Sequence, residues 1–170
     1  MSASRHFDEN WTLNFGEHFN HENMKKFILS ILVALAALSS HAQQSAIYST
    51  KDGAIAGYDV VSYYTEGHAV KGKKEIAYRY ADADWHFASE ENLKAFKDNP
   101  EKYLPQYGGY CAFGCSRGYK APTEPDAFTV VNGKLYLNYN KDVRTEWNKD
   151  RDALIKKADA NWATVKTRKS

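Results

Sequence analysis

Cysteine is scarce in this chain, at two residues in 170, as are methionine (two) and proline (four). Two cysteines exclude a disulfide-dense mini-scaffold and cannot by themselves supply the four ligands of a closed zinc site. No charge of one sign dominates: 23 Lys and Arg stand against 21 Asp and Glu, evenly interspersed, for a net charge of +2. That balance argues against nucleic acid or an anionic membrane as a partner. The Lys71–Lys74 cluster, with Gly72 inside it, reads as a solvated loop. No apolar run reaches the roughly 20 residues that a bilayer-spanning helix needs. A Gly-x-Ser-x-Gly elbow, a P-loop and a paired-carboxylate signature are all missing, so no enzyme signature is present. Internal repeats and low-complexity stretches are missing too.

The segment Met24–Gln43 reads as a secretory signal peptide. Lys25 and Lys26 form a positive start, Phe27–Leu38 an apolar run, and Ser40 and Ala42 supply the small residues of a cleavage site. A membrane anchor or a buried core helix are the alternatives for the run. No cysteine follows it, which removes a lipoprotein anchor. Residues 1–23 read as a mis-assigned start or a disordered extension, 24–42 as the signal, and 43–170 as one domain of periplasmic or secreted location, with no stable membrane anchor after cleavage. Cleavage after Ala42 removes four of the six histidines and leaves His68 and His86. It also removes three basic residues (Arg5, Lys25, Lys26) from the 23 and four acidic ones (Asp8, Glu9, Glu17, Glu22) from the 21, for a balance of +3. Export places Cys111 and Cys115 under oxidising conditions.

Aromatic residues are plentiful: 12 Tyr, 8 Phe and 4 Trp. Lys51-Asp52-Gly53 suggests a first turn, and Gly57–Tyr64 a strand or one helical turn. Gly67–Lys74 reads as a polar loop. Ile76, Tyr78 and Tyr80 alternate, which predicts a strand over 76–80. Ala81–Asp84 then turns the chain into a second short strand, Trp85-His86-Phe87. Ser89 can cap a helix that buries Leu93 and Phe96 and stops at Asn99-Pro100. Four glycines within Tyr107–Gly118 suit irregular turns or close backbone packing. Asn132-Gly133 between Phe128–Val131 and Lys134–Asn138 predicts a type I′ hairpin. Asn140 can cap a helix carrying Val143 and Trp147, and a last helix runs from about Asp150 to Val165 with Leu154, Ala158, Trp162 and Val165 on one side. The pattern predicts an α+β fold, a small antiparallel sheet with packed helices.

Cys111 and Cys115 are the sharpest chemical feature. On a helix, positions i and i+4 share a face, so two thiolates could meet one ion. Soft sulfur favours copper before zinc, because Cu(I) is satisfied by two or three ligands. His86 is the candidate third ligand. The same pair could instead form a small-loop disulfide, pack as buried thiols, or do redox chemistry. His86 alternates out of phase with Trp85 and Phe87, so it takes the face opposite the rings; a hydrogen-bonded structural histidine is the plainer reading. Trp85, Tyr110 and Tyr119 are candidates to line an aromatic cleft for a small molecule or a protein.

Gly57–Tyr63, Trp85-His86-Phe87-Ala88-Ser89, Phe96, Pro100, Tyr103, Tyr107–Ala112, Asn132–Tyr139 and Ala158–Trp162 together resemble the exported bacterial proteins that contain a YHS domain. The resemblance covers nearly all of residues 47–162. It implies a treble-clef-related, metallochaperone-like module in a metal-associated context. The family pattern has a Cys-Ser pair after the aromatic strand and another cysteine on the following helix. This chain has Ala88-Ser89 at the first place and no cysteine at the second. Cys111 fits the Gly-Gly-Tyr-Cys-Ala run of the exported proteins, whereas Cys115 departs from it. The expected function is a periplasmic or secreted binding module, with copper held by Cys111, helped by Cys115 and His86. The alternatives are a non-metal module for a small molecule or a protein partner, and a thiol-redox accessory protein.

Overall fold

The computed structural model describes residues 46–168. The segments expected as extension and signal peptide lie outside the described residues. Within 46–168 the strands form three antiparallel hairpins, each joining consecutive strands: β1 (Ser49–Thr50) with β2 (Gly53–Ala54), β3 (Lys73–Tyr80) with β4 (Ala83–Phe87), and β5 (Phe128–Val131) with β6 (Lys134–Leu137). The helices are α1 (Ser62–Thr65), α2 (Glu90–Asp98), α3 (Pro100–Tyr103), α4 (Ala112–Ser116), α5 (Lys141–Lys149) and α6 (Arg151–Val165), with 3-10 turns at Ile55–Gly57 and Gln106–Gly109. The α+β class is as expected, but three separate ribbons replace the single small sheet.

The second hairpin is longer than the sequence pattern suggests. Its turn is only Ala81-Asp82, both with positive φ (50° and 60°), and β4 starts at Ala83. Ala83 reads as a turn residue by type, yet it is buried with Trp85 and Phe87, so burial extends the strand. At the other end, Lys73 and Lys74 belong to β3 rather than to a loop, and the register slips between Lys73 and Ala77.

Helix α2 starts where expected. Ser89 Oγ accepts from Asn92 N at 3.2 Å, satisfying one of the first-turn amides. Phe96 then packs at ring-centroid distances of 5.2 Å from Phe87, 5.5 Å from Trp85 and 5.7 Å from Tyr80. Pro100 ends α2 but also opens α3, a position where its missing N–H costs nothing. The fully buried Asp59 carboxylate ties the start of this half together. Its Oδ1 accepts from Val61 N (2.8 Å), and its Oδ2 from Ala88 N (2.8 Å) and Asn92 Nδ2 (2.7 Å).

The buried residues form two clusters. The first contains Ile55, Val60, Val61, Trp85, Phe87 and Phe96; the second contains Tyr107, Tyr110, Cys115, Trp147, Leu154 and Ala158. Strand β6 belongs to both. Its two-residue period sends Leu135 and Leu137 into the first cluster and Tyr136 into the second. The Asn132-Gly133 turn forms as expected, with both φ positive (52° and 69°). Asn140 Oδ1 accepts from Val143 N at 2.8 Å and starts α5, which buries Trp147.

Candidate functional site

The site is built on α4, a helix of little more than one turn. Three residues before it have positive φ: Tyr107 (54°), Gly108 (60°) and Gly109 (83°). Gly108 also lies against the chain at 46–48, where Tyr48 N donates to Gly108 O at 2.8 Å; a Cβ at 108 would fall 1.7 Å from Ala46 O. This tight entry delivers Cys111 as the N-cap residue of α4. Its Sγ accepts from Gly114 N at 3.4 Å, and its carbonyl accepts from Cys115 N at 2.9 Å. Cys111 thus precedes the helix as its cap, with non-helical backbone, and Cys115 lies within it, joined to Cys111 by that backbone bond. Both are buried free thiols, so the disulfide alternative is not the state described.

Residues distant in sequence hold both ends of the helix. Asn138, immediately after β6, is fully buried. Its Oδ1 accepts from Phe113 N at 3.2 Å and receives the Cys111 thiol at 3.7 Å. Its Nδ2 has no hydrogen-bond partner among the described residues. At the C-terminal end, Asn161 Nδ2 on α6 donates to Cys115 O and Ser116 O, both at 3.1 Å. Ser116 Oγ donates to Phe113 O at 2.7 Å, so that hydroxyl is already committed.

Burial dominates the electrostatics. It pushes the Cys115 thiol up to about 12, with the neighbouring Cys111 adding to the shift and Lys120 opposing it. Burial also raises Cys111, against the lowering effect of amides at Gly114, Tyr139 and Phe113. Both thiols are thus protonated at neutral pH, and neither is an activated nucleophile.

The third expected ligand is elsewhere. His86 lies on the outward side of β4, because strand alternation sends Trp85 and Phe87 inward. Its ring packs against the backbone at Gly53 and Gly57: a Cβ at either would come within 3.3 Å of a ring atom. Among the described residues, no group of three or more His, Cys, Asp and Glu side chains is placed to hold a metal ion. The expected set of Cys111, Cys115 and His86 therefore reduces to the two thiols.

The aromatic cleft is corrected in the same way. Trp85 is fully buried in the first cluster, and its Nε1 donates to Tyr80 O at 3.0 Å. Tyr110 is buried in the second cluster, with its ring 5.6 Å from that of Tyr48. Tyr119 is half exposed and covers Gly114, where an added Cβ would lie 3.1 Å from its ring. The three aromatic side chains do not line one cleft.

Two residues that sequence reasoning passed over stand beside the thiols, Asn138 and Lys120. Asn138 was legible in part, since the two-residue period of β6, continued one residue past Leu137, sets it on the side of Tyr136. Lys120 carried no signal, being a lysine in a Gly- and Pro-flanked loop.

Residues 61–107 match the family model of the YHS domain. This chain carries a YHS domain. No curated protein matches it, and no solved structure does. The YHS segment spans α1, β3, β4, α2 and α3 and ends in the turn that leads to Cys111. Where the resemblance expects a Cys-Ser pair, the YHS segment has Ala88, whose amide serves the Asp59 carboxylate, and Ser89, which caps α2. Both thiols follow the matched segment in sequence.

Proposed function

We propose that this YHS-domain protein is a binding module for a soft metal ion, copper(I) before zinc, with Cys111 and Cys115 as its ligands. The observation that carries the reading is the pair of free, buried thiols on one short segment, Cys111 capping α4 and Cys115 within it. The donor set decides between ions. Zinc in a structural site takes four ligands, whereas soft thiolates suit Cu(I) at low coordination number. Cys111 and Cys115 would hold the ion, and Asn138 Oδ1 and the Gly114 amide orient the Cys111 sulfur. The raised thiol pKa values count against a thiol-redox role, because attack on a disulfide requires thiolate. They do not prevent metal uptake, in which the ion displaces the thiol protons.

We further propose export to the periplasm or the medium, on the strength of Met24–Gln43. Intact mass of the protein recovered outside the cytoplasm tests it: a start near Gln43 is expected, and a retained Met1 overturns it.

Anaerobic titration of the reduced protein with Cu(I), against a chromogenic chelator, tests the metal reading. One ion per chain is expected, with loss of binding in Cys111→Ser and in Cys115→Ser. Absence of uptake by the folded wild-type protein overturns it.

A further inference from the structure

The loop after α4 holds a charge that two neutral thiols do not explain. Lys120 is 8 % exposed, and its Nζ has no hydrogen-bond partner among the described residues. A buried ammonium without a partner is costly, so its retention needs a cause. The backbone fixes its place. On one side of it, Tyr119 N donates to Gly114 O at 3.1 Å; on the other, Ala121 O accepts from Cys111 N at 3.0 Å. Lys120 is thus clamped between two bonds to the segment that carries the thiols. Its Nζ lies 4.9 Å from the Tyr110 ring centroid, a contact that offsets part of the lost hydration. Burial lowers its pKa from the ordinary lysine value, and Cys115 opposes that shift.

We propose that Lys120 is the built-in counter-charge of the Cys111–Cys115 pair and makes the site select a monovalent soft cation, Cu(I) or Ag(I), over a divalent one. The inference rests on the reading of the two thiols as ligands. Charge balance carries it. Binding a monovalent ion through both sulfurs releases two thiol protons and leaves a complex of charge −1, which the ammonium brings to zero. A divalent ion such as Hg(II), held by the same two sulfurs, gives a neutral complex and leaves the ammonium unmatched. In a low-dielectric interior that difference of one charge is large compared with its effect in water.

The test compares Ag(I) and Hg(II) on the reduced full chain, each in competition with a small-thiol buffer and followed by thiolate-to-metal absorption. Lys120→Met is expected to weaken Ag(I) binding by about ten- to a hundredfold and to leave Hg(II) binding unchanged. Lys120→Arg restores Ag(I) to within a few-fold. Lys120→Gln makes the same comparison if Lys120→Met does not fold. Unchanged Ag(I) affinity without the lysine, or equal weakening of both ions, overturns the counter-charge while Cys111→Ser still shows the thiols to be ligands. A wild-type protein that takes up neither ion, or uptake indifferent to Cys111→Ser, overturns the metal reading and this inference with it.

Discussion

The thiol of Cys111 meets Oδ1 of Asn138 at 3.7 Å, although 26 residues separate them in sequence. The same oxygen takes the Phe113 amide, so one buried side chain joins the cysteine helix to the end of β6. Replacing Asn138 by Ala leaves that amide and thiol without their acceptor. Each stranded buried donor costs about 1–3 kcal/mol. Asn138→Ala is expected to lower unfolding free energy by about 2 kcal/mol or more, read from urea denaturation. A change below about 0.5 kcal/mol would mean that the bond has no structural weight.

Asp59→Asn is the corresponding test of the first core. All three bonds to the Asp59 carboxylate come from N–H donors. An amide presents its own donor to at least one of them. A loss of about 2–3 kcal/mol is expected, with no change in the metal titration, since Cys115 belongs to the other core and Cys111 caps the same helix.

Two glycines with similar φ separate strain from collision. Gly108 (60°) and Gly133 (69°) both lie in the left-handed region. A Cβ at 108 collides with Ala46 O, whereas one at 133 meets nothing within 4 Å. Gly133→Ala should cost about 1 kcal/mol, the left-handed penalty alone. Gly108→Ala should cost clearly more, because backbone must move; thermal melts of the pair give the comparison, and equal losses would refute it.

Alkaline pH should destabilise the fold through its buried acids. Cys115 is raised from 9.0 to about 12. Desolvation also raises Tyr63, and it raises Tyr64 to about 12. A folded pKa above the unfolded value means that the unfolded chain loses its proton first. The Cys115 contribution is therefore complete below about pH 9 and is lost as pH rises toward about 12. Denaturation midpoints measured from pH 8 to 11 should fall, and Cys115→Ala should flatten the slope whatever it does to the level. An unchanged slope would place the loss on the tyrosines.

Much of this architecture was legible because local chemistry and burial agree. Ser89, Asn140 and Asn132-Gly133 each act through neighbours a few residues away, and each does what its type predicts. The failures are non-local. Ala83 joins a strand because it is buried under the first core, which residue type does not disclose. His86 and Cys111 look like partners in a list of metal-binding residue types, yet the alternation of β4 turns His86 toward Gly53 and Gly57. Trp85 has the chemistry of a cleft residue, but its inward phase on β4 commits it to packing against Phe96. Asn138 and Lys120 gain their significance only from contacts across the chain with α4.

Strand β6 has a consequence for where this domain can be cut. With Leu135 and Leu137 facing one way and Tyr136 the other, a single four-residue strand seals both hydrophobic interiors. A fragment confined to the matched segment 61–107 would leave Trp85, Phe87 and Phe96 without that seal. The autonomous folding unit is therefore longer than the family motif it contains, and the two halves should melt together in one cooperative transition.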